Sequence, residues 1–361
     1  MTKAEWISHR PVAPDSYRCA MFRTMLTALL LLTASPAVAD MLIIAHRGAS
    51  GERPEHTRAA YERAIAQGAD VIEPDLVMTR DGVLVVRHEN EIGGTTDVAA
   101  HPEFADRRST KIIDGQTVTG WFTEDFTLAE LMSLRARERL PALRGTAFDG
   151  QEPILTFEQV LAIAAAAGVG VAPELKHPAY FAGIGLPMED AFVAVLERHG
   201  LTGADAPVLV QCFEVGPLER LAARIDTPLL QLMARSGGPA DRPDLTYAEM
   251  ATPEGLSRVR VYADWIGVDT AMIEPEPGAP TGLIGDAHAA GLKVAAWTFR
   301  AENAFLPELD RIGVDPAGHG RITGRVARFA GYGLDAAFMD QPRYRPSPLG
   351  GEGGPSGPDE G

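Results

Sequence analysis

Short apolar runs alternate with helix-patterned segments along most of this chain, and that rhythm restricts the fold more than any other feature. Leu42–Ala45, Val71–Val77, Val83–Arg87, Gly170–Leu175, Val208–Phe213, Pro228–Met233, Trp265–Val268, Lys293–Phe299 and Ala336–Met339 read as strands. Several are wholly apolar, as strands covered on both faces must be. Thr57–Gln67, Thr156–Ala167, Met188–His199, Val215–Arg224, Thr281–Ala290 and Ala301–Leu309 read as helices, and Gly68, Gly168, Gly200 and Gly291 stand where a left-handed cap belongs. The alternation over about 300 residues predicts a parallel α/β fold, a (β/α)8 TIM-type barrel, with a doubly wound sheet as the alternative.

Two stretches break the rhythm. Residues 89–151 carry Gly, Pro, Asp and Arg clusters and a helical piece around Leu128–Arg139. This is too long for a plain loop, and reads as an insertion after the second strand region, on the face where a barrel does its chemistry. The polar, Gly-rich stretch 346–361 reads as a disordered tail after a barrel domain at 40–345.

At the amino end, Arg18 and Arg23 precede the apolar stretch Met25–Thr33, and Ala37-Val38-Ala39 then offers a small-x-small cut before Asp40. Residues 1–39 therefore read as an export signal, with 1–20 an over-extended start or a long charged region; a buried N-terminal helix is the plainer alternative. Export implies a periplasmic or secreted protein. No apolar run reaches the ~18 residues of a membrane span, so no stable membrane anchor is expected. The segment 1–39 holds four basic residues (Lys3, Arg10, Arg18, Arg23) and two acidic ones (Glu5, Asp15), so its loss takes the net charge from −16 to −18. Such an acidic surface disfavours nucleic acid and anionic membranes and leaves a small-molecule substrate as the expected partner. Cys212 would be the one cysteine left, and reads as a buried thiol. Nothing in the sequence sets the oligomeric state.

Ionisable residues cluster at the ends of the apolar strands, where a barrel places its active site. His46-Arg47-Gly48 follows the first strand: an imidazole that titrates near neutrality and a planar guanidinium suited to phosphate oxygens. A strand-end histidine capped by backbone is the alternative. Glu73 and Asp75 are two apart, so they share a strand face; two carboxylates among apolar residues are costly unless a cation joins them, and oxygen ligands suit Ca²⁺ or Mg²⁺. A solvated pair at a sheet edge is the alternative. Asp81-Gly82 signals a hairpin whose return strand ends at His88. Glu174 and Lys176 again share a face, either as a third metal oxygen with a phosphate-neutralising ammonium or as a simple ion pair. Gln211 and Trp297 sit at strand ends, with core packing or a pocket wall as their two readings.

Taken together, His46-Arg47-Gly48, Pro54-Glu55-His56-Thr57, Glu73-Pro74-Asp75, Thr79-Arg80-Asp81-Gly82, His88 and Glu174-Leu175-Lys176 resemble the glycerophosphodiester phosphodiesterase family. The resemblance runs on through Gln211-Cys212-Phe213, Tyr262-Ala263-Asp264, Trp297-Thr298, Gly333-Leu334-Asp335 and Asp340-Gln341-Pro342, and so spans about 42–342. The spacing of the first block and the insertion after His88 resemble the periplasmic type. The resemblance implies metal-dependent hydrolysis of glycerophosphodiesters to sn-glycerol 3-phosphate and an alcohol on a (β/α)8 barrel. It implies His46 and His88 as the catalytic acid–base pair and Glu73, Asp75 and Glu174 as metal ligands. It also implies Arg47 and Lys176 on the phosphate, with Gln211 and Trp297 as further substrate-binding candidates.

The chain departs from that pattern at His56, where the family usually has Asn, and at Glu89, Phe299-Arg300 and Met339. His56, Phe299 and Arg300 bear on pocket shape. Two other functions fit the residues less well. A phospholipase D-like or phosphoinositide-cleaving barrel enzyme working at an interface calls for an apolar or basic rim, which the acidic surface opposes. A non-catalytic periplasmic solute-binding protein needs no pair of proton-transfer groups.

Overall fold

The computed structural model describes residues 41–346 of the 361. The export signal read at 1–39 and the tail from Ser347 onward lie outside the described residues. Strand β1 (Leu42–His46) is followed by β2 (Val71–Glu73) and β3 (Asp75–Met78), one strand interrupted at Pro74. β4 (Leu84–Val86) folds back antiparallel on β3 across the Asp81-Gly82 turn, with Gly82 at φ +77. β5 (Ser109–Ile113) and β6 (Gln116–Gly120) form a separate hairpin. β7 (Gly170–Val171) and β8 (Glu174–Leu175) are again one strand, interrupted at Ala172-Pro173. β9 (Val210–Cys212), β10 (Leu229–Met233), β11 (Trp265–Asp269), β12 (Lys293–Phe299) and β13 (Ala336–Met339) complete the set.

The main sheet has eleven strands. Joining β2 to β3 and β7 to β8 and setting β4 aside leaves eight parallel strands. They form a ring, because β13 pairs with β1, β1 with β2, β2 with β7, and β3 with β8, which leads on through β9 to β12 and back to β13. This is the expected (β/α)8 barrel. Proline has no N–H to give the ladder, so Pro74 and Pro173 split their strands. Their carbonyls still accept from Glu174 N–H and Gln211 N–H at 2.9 Å each.

Side-chain parity explains where the site lies. Inside the ring, a small apolar cluster includes Ile44, Val71, Ala172, Leu209 and Ala295. Two residues further along each strand, on the same face, stand His46, Glu73, Glu174, Gln211 and Trp297. The barrel floor is therefore apolar and the layer above it, at the strands' C-terminal ends, is chemical. A larger apolar cluster fills the space between the ring and the outer helices. Helix Phe157–Ala167 shows why these helices form where they do. Thr156 and Gln159 make a reciprocal capping box at its start, Phe157, Val160, Leu161 and Ala164 face inward, and Gly168 at φ +65 ends it.

Two local expectations fail. Ala301–Leu309 is two 3-10 turns, Asn303–Phe305 and Glu308–Asp310, separated by an extended Leu306 ahead of Pro307, which disfavours helical backbone in the preceding residue. The outer helix of this unit is Ile322–Gly331 instead. In the stretch 89–151, helix is confined to Leu128–Leu131 and Pro141–Arg144, with 3-10 turns and the β5–β6 hairpin around them.

Candidate active site

The turn after β1 sets the site's first two groups. Arg47 and Gly48 both have positive φ, +60 and +83, and a Cβ on Gly48 would lie 2.7 Å from the Ala60 carbonyl carbon. Only glycine lets the turn press this closely on helix Arg58–Ala66. The turn aims the Arg47 N–H at Glu73 Oε2, 2.7 Å away, and lays its guanidinium between Glu55 (3.1 Å) and Asp75 (3.3 Å).

Glu73, Asp75 and Glu174 converge, each with an oxygen within 4.8 Å of the others, and all three are buried. Gln211 Nε2 donates to Glu73 Oε1 at 3.2 Å, and His56 Nε2 lies 2.8 Å from Asp75 Oδ2. Lys176 Nζ approaches Glu174 Oε1 at 2.7 Å and Asp75 Oδ1 at 3.5 Å as an ion pair, yet neither oxygen has an aligned hydrogen-bond donor. Burial, with repulsion from Asp75, raises the Glu73 carboxyl well above the usual range. Burial also raises Glu174, to about 8, against the pull of Lys176. Asp75 is held well below the usual range because Lys176, His88, His56 and Arg47 outweigh its own burial. Three close carboxylates thus face only two cations, Arg47 and Lys176, and two oxygens lack donors. That combination suits a hard divalent cation with oxygen ligands.

His46 and His88 both line the pocket above this triad, with Arg47, Glu73, Glu174 and Lys176. His46 Nδ1 lies 2.6 Å from Asp340 Oδ1, and His88 Nδ1 is hydrogen-bonded to Glu89 Oε1. A carboxylate accepts only, so each Nδ1 carries the proton and each Nε2 keeps a lone pair; this tautomer follows from the network. Burial and then Arg47 lower His46 to about 4, against the opposing pull of Asp340. Burial, Arg47 and Lys176 lower His88 to about 3. Both rings are therefore neutral at pH 7 without substrate, with Nε2 available as a base.

The remaining wall is mixed. Trp297 donates its indole N–H to Gly267 O at 3.1 Å and packs edge-on against Phe213, so it offers the pocket a ring and no donor. Gln211 spends its N–H₂ on Glu73 and on Ala172 O, leaving Oε1 without a partner. Leu232, Thr298, Arg300 and Phe338 complete a pocket of ≈ 450 Å³ counted to its open mouth.

The structure brings nine sequence-nominated residues together: His46, His88, Arg47, Lys176, Gln211, Trp297, Glu73, Asp75 and Glu174. Asp75, buried and in register with Glu174, is the one of the nine that does not line the pocket. Of the three residues expected to shape the pocket, only Arg300 lines it. Phe299 packs outward against Phe329, and His56, 0% exposed, lies behind Asp75 with Nδ1 2.9 Å from the Tyr61 hydroxyl. Sequence reading gave no role to Asp340, Glu89, Arg139 or Arg144. Asp340 carries the same signal as the others, a charged residue at the end of an apolar strand. The two arginines carry none, because they lie in the irregular stretch.

A model of the glycerophosphoryl diester phosphodiesterase family matches residues 46–343. A glycerophosphodiester phosphodiesterase of Arabidopsis thaliana is 38% identical over 281 residues, covering 73% of this chain and 75% of its own. Another, from Haemophilus influenzae, is 30% identical over 276 residues, covering 68% and 73%. Among solved structures, a putative glycerophosphoryl diester phosphodiesterase of Silicibacter pomeroyi matches with a TM-score of 0.61 at 22% identity, over 85% of this chain and 92% of that one. A phosphodiesterase of Oleispira antarctica, solved with the product sn-glycerol-3-phosphate, matches with a TM-score of 0.57 at 21% identity, over 85% and 96%.

Proposed function

Since this chain belongs to the glycerophosphoryl diester phosphodiesterase family, and is a phosphoric diester hydrolase, we propose that His46 and His88 cleave glycerophosphodiesters to sn-glycerol 3-phosphate and an alcohol beside a divalent cation. The observation that carries this reading is the paired arrangement of the histidines: each lines the pocket, each has Nδ1 on a carboxylate, and each keeps Nε2 for substrate. The product bound by the Oleispira protein is the one expected here.

Glu73, Asp75 and Glu174 would hold the cation, Ca²⁺ or Mg²⁺, which when bound supplies Lewis-acid neutralisation of a phosphoryl oxygen. Arg47 and Lys176 face the same phosphoryl group and offset its developing charge. The anionic diester in turn offsets these two cations, which help hold the histidines neutral, so one ring takes up a proton only with substrate in place. The glycerol hydroxyl next to the esterified carbon attacks phosphorus with the advantage of a tethered nucleophile. One histidine takes the hydroxyl's proton and the other protonates the departing alcohol oxygen, leaving a cyclic glycerol phosphate. Water opens the ring with the two roles reversed. Trp297 and Phe213, set edge to face, give the pocket an apolar wall. The leader pattern at 1–39 supports export to the periplasm or the medium.

The test is release of choline or ethanolamine from the matching glycerophosphodiesters, with glycerol 3-phosphate as co-product; no release from either ends the assignment. A substrate whose vicinal hydroxyl is replaced by hydrogen should turn over on the order of 10²-fold more slowly or worse. Equal kcat for that analogue would leave the activity standing and exclude the intramolecular attack.

A further inference from the structure

The two histidines draw their carboxylate partners from widely separated positions, Glu89 and Asp340, yet both carboxylates are gripped from one place. In the irregular excursion between β4 and helix Phe157–Ala167, Arg139 and Arg144 bracket the short helix Pro141–Arg144. Arg139 reaches Glu89 with NH1 and NH2, at 2.9 and 2.6 Å, and Glu89 holds His88 Nδ1. The same guanidinium forks onto Glu55 at 2.7 and 2.6 Å, and Glu55 braces Arg47. Arg144 donates to Asp340 Oδ2 at 2.6 Å while Asp340 Oδ1 holds His46 Nδ1; Arg300 Nε also approaches Oδ2, at 3.1 Å, but as an ion pair without an aligned hydrogen bond. Arg144 is anchored in turn by Glu302 Oε1 at 2.6 Å and Ser50 O at 2.8 Å.

We propose that Arg139 and Arg144 are positioning residues, each fixing the carboxylate that orients one histidine, so that the excursion presets both halves of the acid–base pair. This rests on the reading of His46 and His88 given above. Asp340 and Glu89 each have two oxygens, and a carboxylate held at one oxygen only is free to turn about its Cβ–Cγ or Cγ–Cδ bond. The bond from the guanidinium fixes the plane of the group, and the plane fixes where the Nδ1–H points and hence where Nε2 faces. The paired geometry of arginine makes it suited to this task, and a lysine would supply charge without the fork. A carboxylate partner that sets the tautomer and orientation of a working histidine is a familiar device; here a further layer sets the carboxylate.

A plain stapling role, in which the arginines merely fasten the excursion to the barrel, makes a different prediction. A staple would disturb both histidines alike. The wiring in the structure is selective: Arg144 leads to His46, and Arg139 leads to His88 and, through Glu55, to Arg47.

The experiment compares Arg139→Ala and Arg144→Ala, with Arg139→Lys and Arg144→Lys as milder partners in case an alanine variant fails to fold. It uses full-length protein carrying ¹⁵N-labelled histidine. Arg144→Ala should move the imidazole signals of His46 and leave those of His88; Arg139→Ala should do the reverse. These signals are read without substrate, so they test the wiring even if the wild-type protein hydrolyses no glycerophosphodiester, the result that would end the functional reading instead. With an active wild type, each alanine variant should lose about 10–100-fold in kcat, the usual cost of removing an outer partner of a working ligand. KM should stay within about threefold for Arg144→Ala and rise for Arg139→Ala, because only Arg139 also braces Arg47. Added guanidinium ion should restore part of the lost kcat. Folded variants that move both histidines equally, or neither, would overturn the proposal, as would unchanged kcat.

Discussion

Replacing His56 with alanine removes a side chain that the site depends on from behind. His56 is 0% exposed, bonds Asp75 Oδ2 at 2.8 Å and Tyr61 OH at 2.9 Å, and sits at φ +61. Asp75 keeps Arg47 on the same oxygen, so it is weakened and not stranded; losing one bond to a charged group costs about 1.5–3 kcal/mol. Tyr61 OH keeps only the Glu73 carbonyl at 3.5 Å, and its lost bond adds about 1 kcal/mol. The space left by the imidazole adds about 1–2 kcal/mol in this close-packed layer. The total, about 3.5–6 kcal/mol, should lower the urea midpoint by about 1.2–2 M at a slope of ~3 kcal/mol/M. His56→Asn retains a residue type that tolerates positive φ and carries an amide donor, and should cost roughly half as much. Equilibrium urea unfolding of the three proteins, with chelator present throughout, gives the comparison. A shift under ~0.3 M for the alanine variant, or asparagine no better than alanine, would refute the buried-support role of His56.

EDTA should abolish hydrolysis and Ca²⁺ or Mg²⁺ should restore it; full activity in a verified metal-free preparation would remove the cation from the reading. His46→Ala and His88→Ala should each cut kcat by on the order of 10²–10⁴ with a smaller effect on binding, and a variant that keeps wild-type turnover marks its histidine as structural. Arg144 and Arg300 hold Asp340, and His88 with Arg139 holds Glu89, well below the usual carboxylate range despite burial. Groups lowered in the folded state stabilise above their unfolded pKa of about 4, and this stabilisation is lost as pH falls through the folded values. Their contribution should therefore be lost below about pH 4, so the urea midpoint should fall less steeply there in Arg144→Ala than in the wild type; identical acid limbs contradict this. N-terminal sequencing of protein recovered outside the cytoplasm should read from Asp40, and an intact Met1 or Met21 start there would contradict the cut after Ala39.

The ring was legible because buried parallel strands leave the strongest mark a sequence can carry, a run of apolar residues bounded by turn formers. Glu73, Asp75, Glu174 and Lys176 were legible for the complementary reason: a charge at the end of such a run is costly and calls for an explanation. Ala301–Leu309 was misread because its alanine and leucine content favours helix, whereas Pro307 and the bonds of Asn303 to Ile312 O and Asp315 O favour a knotted loop. His56 was noticed as a departure, but its place behind Asp75 depends on a turn that only the folded chain displays. Arg139 and Arg144 were silent because their partners, Glu55, Glu89, Glu302 and Asp340, are up to 196 residues away. Local pattern carries no record of such pairings.

His46 and Asp340 are 294 residues apart along the chain and 2.6 Å apart in the fold, because β1 and β13 are neighbours in the ring. A polypeptide emerging amino end first presents its opening strand long before the strand that must lie beside it. Until then one edge of β1 has no partner, and His46 has no carboxylate. The last strand to arrive both seals the cylinder and delivers the anion that orients the histidine. On the proposed role of His46, hydrolytic competence therefore waits for the closing strand, and a chain cut short before Asp340 should be inert even where most of its helices have formed.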